Sequence, residues 1–477
     1  MPHHPLIKQP QPSRQAHAVS YRLGLLALTL TLLPPLLHAQ TGPAAAGSVE
    51  AVSGVGFVQT PGQMPRTMSK GAALLEGDRL TTAANASAIL VLKDGSRMTL
   101  RPETDLVMTQ YRYAQGAADN SMLLNLIKGG LRALTGLISK SSPNAARIQT
   151  ATATVGIRGT DFDARLCQSD CANESRAIGG EARPVEAKVS ARVILLQGDA
   201  LAVGPAGQQR KLSSGAAVYV GELVETGPGA HAVLAFRDDS RITLGSATRF
   251  RIDQFAYDAE HPQAGRFLVS LVRGSLRALT GLIGKANTRN VSFSTATATI
   301  GIRGTGLDVV CTGPCANEED GPDQGFKAYT WLGSIEVTPS GKTLAEVLQS
   351  GQGVFISTAG LRRLSNPLDG SNAPPLGPRP DGVTPPPDTF STTPVGDTED
   401  GLYVNVRNGH IVVSTATGVL QLGQDEVGVV RPDGSLARAE RLPRFIEFDR
   451  VPLPSTQQFG VRSLLDHAGL GEATQCP

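Results

Sequence analysis

The sequence predicts an all-β protein: two β-sandwich or jelly-roll-like domains in tandem, followed by a small C-terminal β segment. Three observations predict it. One unit of about 140 residues occurs twice, which is domain-sized rather than a short solenoid repeat. Apolar residues alternate with polar ones at period two, the pattern of a strand with one buried and one wet face. The 53 glycines and 32 prolines bound short runs, and no segment sustains a helical stripe with caps.

The repeat is nearly literal. LRALTGLISKSSPNAARIQTATATVGIRGT (131–160) returns as LRALTGLIGKANTRNVSFSTATATIGIRGT (276–305). Upstream, Gly77-Asp78 matches Gly221-Glu222, and KDGSRMTL (93–100) matches RDDSRITL (237–244). Downstream, Cys167 and Cys171 match Cys311 and Cys315. A second echo opens each copy, at 51–77 and 195–221. Looser echoes lie at 330–357 and 406–430. The third closes copy two, and the fourth lies beyond a linker.

Strands are justified in order. Leu90, Leu92, Met98 and Leu100 alternate with small or polar residues in copy one. Leu234, Phe236, Ile242 and Leu244 do so in copy two, followed by Phe250 and Ile252. Asp94-Gly95 suits a two-residue type I′ hairpin. Copy two has Asp238-Asp239 there, so its turn is expected to be strained or of another type. Residues 366–398 carry nine prolines among Gly, Ser, Thr and Asp and read as a disordered linker. Alternation returns in 399–456. Residues 459–471 suit one short helix. The expected organisation is 1–39 signal peptide, 48–188 copy one, 189–365 copy two, 366–398 linker, 399–456 small β segment and 457–477 tail.

The N-terminus has the layout of a secretory signal. Lys8, Arg14 and Arg22 stand among the first 22 residues with no acid, an apolar run follows over 23–33, and Leu37-His38-Ala39 offers a cleavage site before Gln40. The run is short for a bilayer of about 30 Å, and no other run is long enough to cross one. Without those three cations, the 44 Lys and Arg fall to 41 against 42 Asp and Glu. A chain so balanced, with no basic tract, is a poor nucleic-acid binder.

An oxidising compartment favours a disulfide within each C-x-x-x-C, Cys167 with Cys171 and Cys311 with Cys315. A metal site is the weaker reading, because no His or second Cys pair repeats alongside. Free thiols or cross-links are the remaining alternative. Cys476 is left unpaired.

At GIRGT the chain resembles the FecR-domain proteins of Gram-negative bacteria. The resemblance rests on Gly77-Asp78, the Asp94-Gly95-Ser96 hairpin, the LRALTGLI run and the closing T-A-T-x-G-I-R-G-T at 152–162 and 297–307. It implies an extracytoplasmic β domain of binding or signalling type, in the periplasm or on the cell surface. The family's namesake also has a cytoplasmic sigma-factor segment. Only about 22 residues precede the apolar run here, so that role is not expected of this chain.

Catalytic chemistry finds no constellation. His231, His261, His410 and His467 do not repeat between copies. There is no H-E-x-x-H and no G-x-S-x-G. Gly341-Lys342-Thr343 ends like a phosphate loop, but Glu336 stands where its first glycine belongs. No catalytic residue, metal or cofactor is therefore expected, and the expected role is a binding or signalling-associated module whose partner is an envelope protein or envelope ligand. The alternative is a structural component of an export or surface assembly with the proline-rich linker as a spacer, and a hydrolase of envelope polysaccharide or peptidoglycan is the least favoured reading. The repeated side chains Arg158, Thr160, Arg303 and Thr305 are candidates for holding it. The competing reading is structural: glycines at unusual backbone angles, Arg on buried acceptors and Thr on a turn, alike in both copies. Arg132 and Arg277 are expected to pack, on a face the irregular alternation leaves open. Trp331, the single tryptophan, is expected in the core.

Overall fold

The computed structural model describes residues 45–141, 145–185, 188–321, 323–364 and 377–454. The signal-peptide reading, the short helix at 459–471 and Cys476 lie outside them. The protein is all-β, in two lobes built to one plan. The first sheet runs Arg66–Thr67, Gly56–Gln59, Arg79–Thr82, Asp105–Arg112, Ser121–Leu134, Ala146–Gln149, Thr154–Cys167, Gly401–Ser414, Val427–Val430 and Leu436–Arg438. The second repeats that order: Gln209–Lys211, Ala200–Val203, Leu223–Thr226, Arg249–Ala256, Arg266–Leu279, Val291–Ser294, Ala298–Cys311, Phe326–Pro339, Gln352–Ser357 and Gly360–Leu364.

In each lobe the hydrogen bonding is continuous through 15 strands, so the layers that face across the core belong to one bent sheet. The bend lies in the long strand. Ser121–Leu134 pairs through its first half with Asp105–Arg112. Its second half pairs with Arg97–Leu100 and with residues 161–166. Gly129 marks the change of partner, at φ 77° and with Thr104 only 2.6 Å from where a Cβ would stand. Exchanging partners within one strand lets the sheet fold over its own core.

The predicted C-terminal segment is not a unit apart. Gly401–Ser414 lies antiparallel on Thr154–Cys167, with Asp163 opposite Asn405. Phe326–Pro339 takes the same place in lobe 2, with Asp308 opposite Tyr329. Leu402, Val404, Val406, Ile411 and Val413 share one core cluster with Leu90, Met98 and Phe162. Lobe 1 is thus made from both ends of the described chain, and lobe 2 is inserted into it. The driving force is ordinary burial, about 1.5–3 kcal/mol for each large aliphatic side chain.

The linker also departs from expectation, because residues 377–398 are ordered. They form a strap on lobe 2. Arg277 Nη1 donates to the Gly377 carbonyl at 3.3 Å and Arg241 Nη1 to that of Val383 at 2.7 Å. The guanidinium of Arg379 stacks 4.0 Å from the Trp331 ring centre. Thr393 then bridges to Ala439, delivering the chain to lobe 1. Extended proline-rich chain loses little entropy on docking, so a few hydrogen bonds from arginines suffice to fix it.

The Asp-Gly hairpin is longer than expected. Gly95 N donates to Leu92 O at 3.0 Å, and Leu92 N to Ser96 O at 2.8 Å. Only Gly95 has positive φ, at 84°, so this is a three-residue loop and not type I′. In copy two Asp239 holds the left-handed position, at φ 64°. Among the described residues no helix is long and apolar enough to cross a membrane.

Candidate functional site

GIRGT forms a β-bulge in each lobe. Pairing with the closing strand jumps between Arg158 and Asp161, and between Arg303 and Gly306. Gly159 and Gly304 stand at φ 57° and 63°. The strand opposite supplies a glycine each time. A Cβ on Gly409 would meet Gly159 O at 2.6 Å, and one on Gly333 would meet Gly304 O at 2.4 Å. The threonines tie the bulge to the LRALTG run. Thr160 N donates to Thr135 Oγ1 at 2.8 Å, and Thr305 N to Thr280 Oγ1 at 3.0 Å.

LTGLI is held in turn by the hairpin. Asp94 accepts from Ser96 Oγ at 2.7 Å, and Ser96 Oγ accepts from Gly136 N at 2.9 Å. Asp238, Ser240 and Gly281 repeat this at 2.9 and 2.8 Å. Burial pushes the Asp238 carboxyl up, against the hydrogen bonds from Ser240. The repeated motifs are therefore mutual supports: hairpin, long strand and bulge interlock.

The two motif arginines diverge. Arg158 is half-buried and points across to lobe 2, its Nη1 3.5 Å from Lys211 O. Burial, then the nearby charge of Arg210, lowers its pKa. The Arg303 side chain is 66% exposed, with Glu336 3.8 Å away. It satisfies no buried acceptor, which corrects the expectation of like roles. Thr305 Oγ1 donates to Ser334 O at 2.8 Å and accepts from Arg303 N at 2.9 Å. Thr160 Oγ1 is buried with no such partner among the described residues.

Arg132 and Arg277 make the strongest repeated contact, on the sheet face away from the main core. Arg132 Nε donates to Asp163 Oδ1 at 2.7 Å, and Asn405 and Arg407 bond the other oxygen at 3.0 and 2.8 Å. Arg277 grips Asp308 through Nε and Nη2, at 3.0 and 3.1 Å. Trp331 Nε1 adds a third bond at 3.0 Å. Trp331 is thus outside the main core, beside the small Val310–Tyr329 cluster, because its strand register turns it to the Asp308 face. Burial pushes the Asp308 carboxyl up, opposed by Arg277 and Trp331. Each brace ties three strands of its sheet together. Asp163 and Asp308 occupy equivalent positions of the repeat; the partner strand of Asp163 lies more than 200 residues on, whereas that of Asp308 is the next strand in the chain.

The lobes meet through a buried ion pair. Arg192 Nη2 reaches both Glu426 oxygens, at 2.5 and 2.6 Å. Tyr219 Oη accepts from Gln424 N at 2.6 Å, and His410 Nε2 meets Gln421 Oε1 at 2.8 Å. The bulge edge of lobe 1 is covered here by the opening hairpins of lobe 2. Among the described residues no neighbouring lobe covers the equivalent edge of lobe 2, leaving Leu332 and Val347 at 49 and 46% exposure. Cys167–Cys171 and Cys311–Cys315 are disulfides, with Cα separations of 5.5 and 5.2 Å. Among the described residues no group of three or more His, Cys, Asp or Glu is arranged to hold a metal ion.

Comparison with known proteins fits this duplicated plan. The family model described as FecR protein matches twice, at residues 78–183 and 222–320. No curated protein matches the chain. Two crystal structures of a protein described as an anti-sigma factor from Parabacteroides distasonis align at 15% identity and a TM-score of 0.23. The alignment covers 30% of this chain and 59% of that one, and at that score it carries no argument. With two matches on two lobes of one topology, the chain carries two FecR domains in tandem.

Proposed function

We propose that the protein is an exported, non-catalytic module of the bacterial envelope, associated with signalling, that works by holding a protein partner. The FecR matches support the class, and two disulfides suit an oxidising compartment. The observation that carries the reading is the unequal fate of the two bulge edges. In lobe 1 this surface takes the hairpin edge of a neighbouring β lobe. In lobe 2 the same surface stands open with Leu332, Val347 and Arg303. The occupant it fits is a β domain of another envelope protein, presenting a hairpin edge as lobe 2 does to lobe 1.

A photo-crosslinking residue at Val347 in producing cells tests this. The expected product is one adduct with a different envelope protein, absent when the crosslinker stands at Ile127 on lobe 1. An adduct of twice the chain mass would make the occupant a second copy. No position-specific adduct would remove the reading. A structural role with 366–398 as a free spacer has lost its motive, since 377–398 lies against the lobes.

A further inference from the structure

A cavity of about 780 Å³ lies between the strap and lobe 2. Arg237, Arg241 and Lys285 line it, with Asp239 as its one acid. The strap contributes Pro385, Pro386, Pro387 and Phe390. None of the three cations has a carboxylate partner among the described residues. Among the described residues Arg241 bonds the Val383 carbonyl, and the guanidinium of Arg237 lies 5.8 Å from the Phe255 ring centre. Arg237 Nε is buried without an acceptor. Burial lowers its pKa, which an anion nearby would reverse.

Lobe 1 provides an internal control. Its equivalents are Lys93, Arg97 and Lys140. There Glu50 pairs with Arg97, whereas the matching position in lobe 2 is Ile194. The hairpin position of Asp239 is Gly95 in lobe 1. Lobe 2 therefore keeps the cations, drops the intramolecular counter-charge and adds a proline wall. Uncompensated cations converging on a partly apolar cavity are the usual makings of an anion site.

We propose that this cavity binds a small organic oxyanion, a carboxylate or a phosphate ester, with Arg237, Arg241 and Lys285 on its charged end and the proline strap along its apolar body. The site adjoins the partner surface proposed above at Leu332, but Val347, the crosslinking position, does not line the cavity, so the two tests fail separately. Trp331 adjoins it in sequence at Leu332, a lining residue, and carries Arg379 of the strap on its ring. As the single tryptophan, it reports on the strap by fluorescence.

The test titrates the full mature chain with glutarate and with butyl phosphate, at ionic strength held constant with sodium chloride. Heat and Trp331 emission are both read. The expected result is saturable binding of at least one probe with a Kd of about 1 mM or tighter. Which probe binds better identifies the oxyanion. Arg237→Ala and Lys285→Gln should each weaken binding, the former by about tenfold or more, as loss of one charged hydrogen bond implies. Asp239→Gly should tighten it, and Lys93→Ala in lobe 1 should leave it unchanged. Lys285 is exposed, so its variant keeps the test valid if Arg237→Ala does not fold. The proposal is overturned if neither probe saturates, if sodium chloride alone gives the same response, or if Lys285→Gln binds as wild type.

Discussion

Arg303 and Asp308 lie five positions apart on one strand, yet they sit on very different energies. Arg303 is mostly exposed and its ion pair is long. Arg303→Ala should stay within about 0.5 kcal/mol of wild type in chemical denaturation. Asp308→Ala leaves Arg277 and Trp331 Nε1 without their acceptor and should cost about 3–5 kcal/mol. Equal effects of the two changes would refute the assignment of the brace. Asp239 belongs at this scale as well. A non-glycine residue at φ 64° carries strain that Gly95 avoids, so Asp239→Gly should raise stability by up to about 1 kcal/mol. A lower melting temperature would show that the Asp239 side chain contributes more than its backbone angle costs. Both glycines of the bulge were legible from GIRGT itself. The divergence of Arg158 and Arg303 was not, because identical local sequence faces a second lobe in one case and water in the other.

At the scale of elements, the closing strand decides whether a lobe exists. Gly401–Ser414 supplies five buried aliphatic side chains to the core of lobe 1, and Phe326–Pro339 does the equivalent for lobe 2. A chain ending at residue 364 should keep lobe 2 protected from proteolysis while lobe 1 is digested. If lobe 1 of that truncated chain resists protease as in the full chain, the closing strand is dispensable and this account fails. The strap illustrates the opposite error. Composition reads nine prolines as freedom, but Arg241 and Arg277 find carbonyls along it, and its own Arg379 finds the Trp331 ring of lobe 2. Arg241 and Arg277 sit as many as 142 residues away in sequence, where no local rule connects them to the linker.

For the whole molecule, insertion of lobe 2 into lobe 1 couples the two. Arg192 and Glu426, 234 residues apart, are both buried at the contact. His410 lies beside them, fully buried, and burial first, then Arg210, Arg158 and Arg192, lowers its pKa to about 3. The Gln421 hydrogen bond, a larger influence than Arg158 or Arg192, pulls the other way. A folded pKa below the ordinary 6.5 means that the unfolded chain binds the proton first. Its contribution to stability is therefore complete above about pH 6.5 and is lost as pH falls from there toward about 3, at up to roughly 1.4 kcal/mol per pH unit. His410→Gln should flatten the acid limb of stability against pH by that slope, measured as the difference from wild type. An unchanged limb would mean that His410 titrates freely. Arg192→Ala, which leaves Glu426 only the more distant Arg438 at 3.6 Å and the Gly423 N–H, should cost about 1–3 kcal/mol and uncouple the melting of the lobes.

The sequence by itself determined the all-β class, the two copies, the repeated motifs and the favoured pairing of neighbouring cysteines. All of these rest on periodicity or on residues close in the chain, where backbone geometry leaves few choices. It also contained the sign of the insertion: two opening echoes, two closing echoes, and the second closing echo only after copy two was complete. Tertiary structure alone decided that 406–430 returns to lobe 1, that Asp163 meets Arg407 and Asp308 meets Trp331, and that the two GIRGT edges face different surroundings. Strand partners are chosen by hydrogen bonding and burial across any loop the chain can close, and the cost of closing it grows only with the logarithm of its length. A separation of more than 200 residues therefore leaves almost no trace in local sequence, although it settles which core each strand completes.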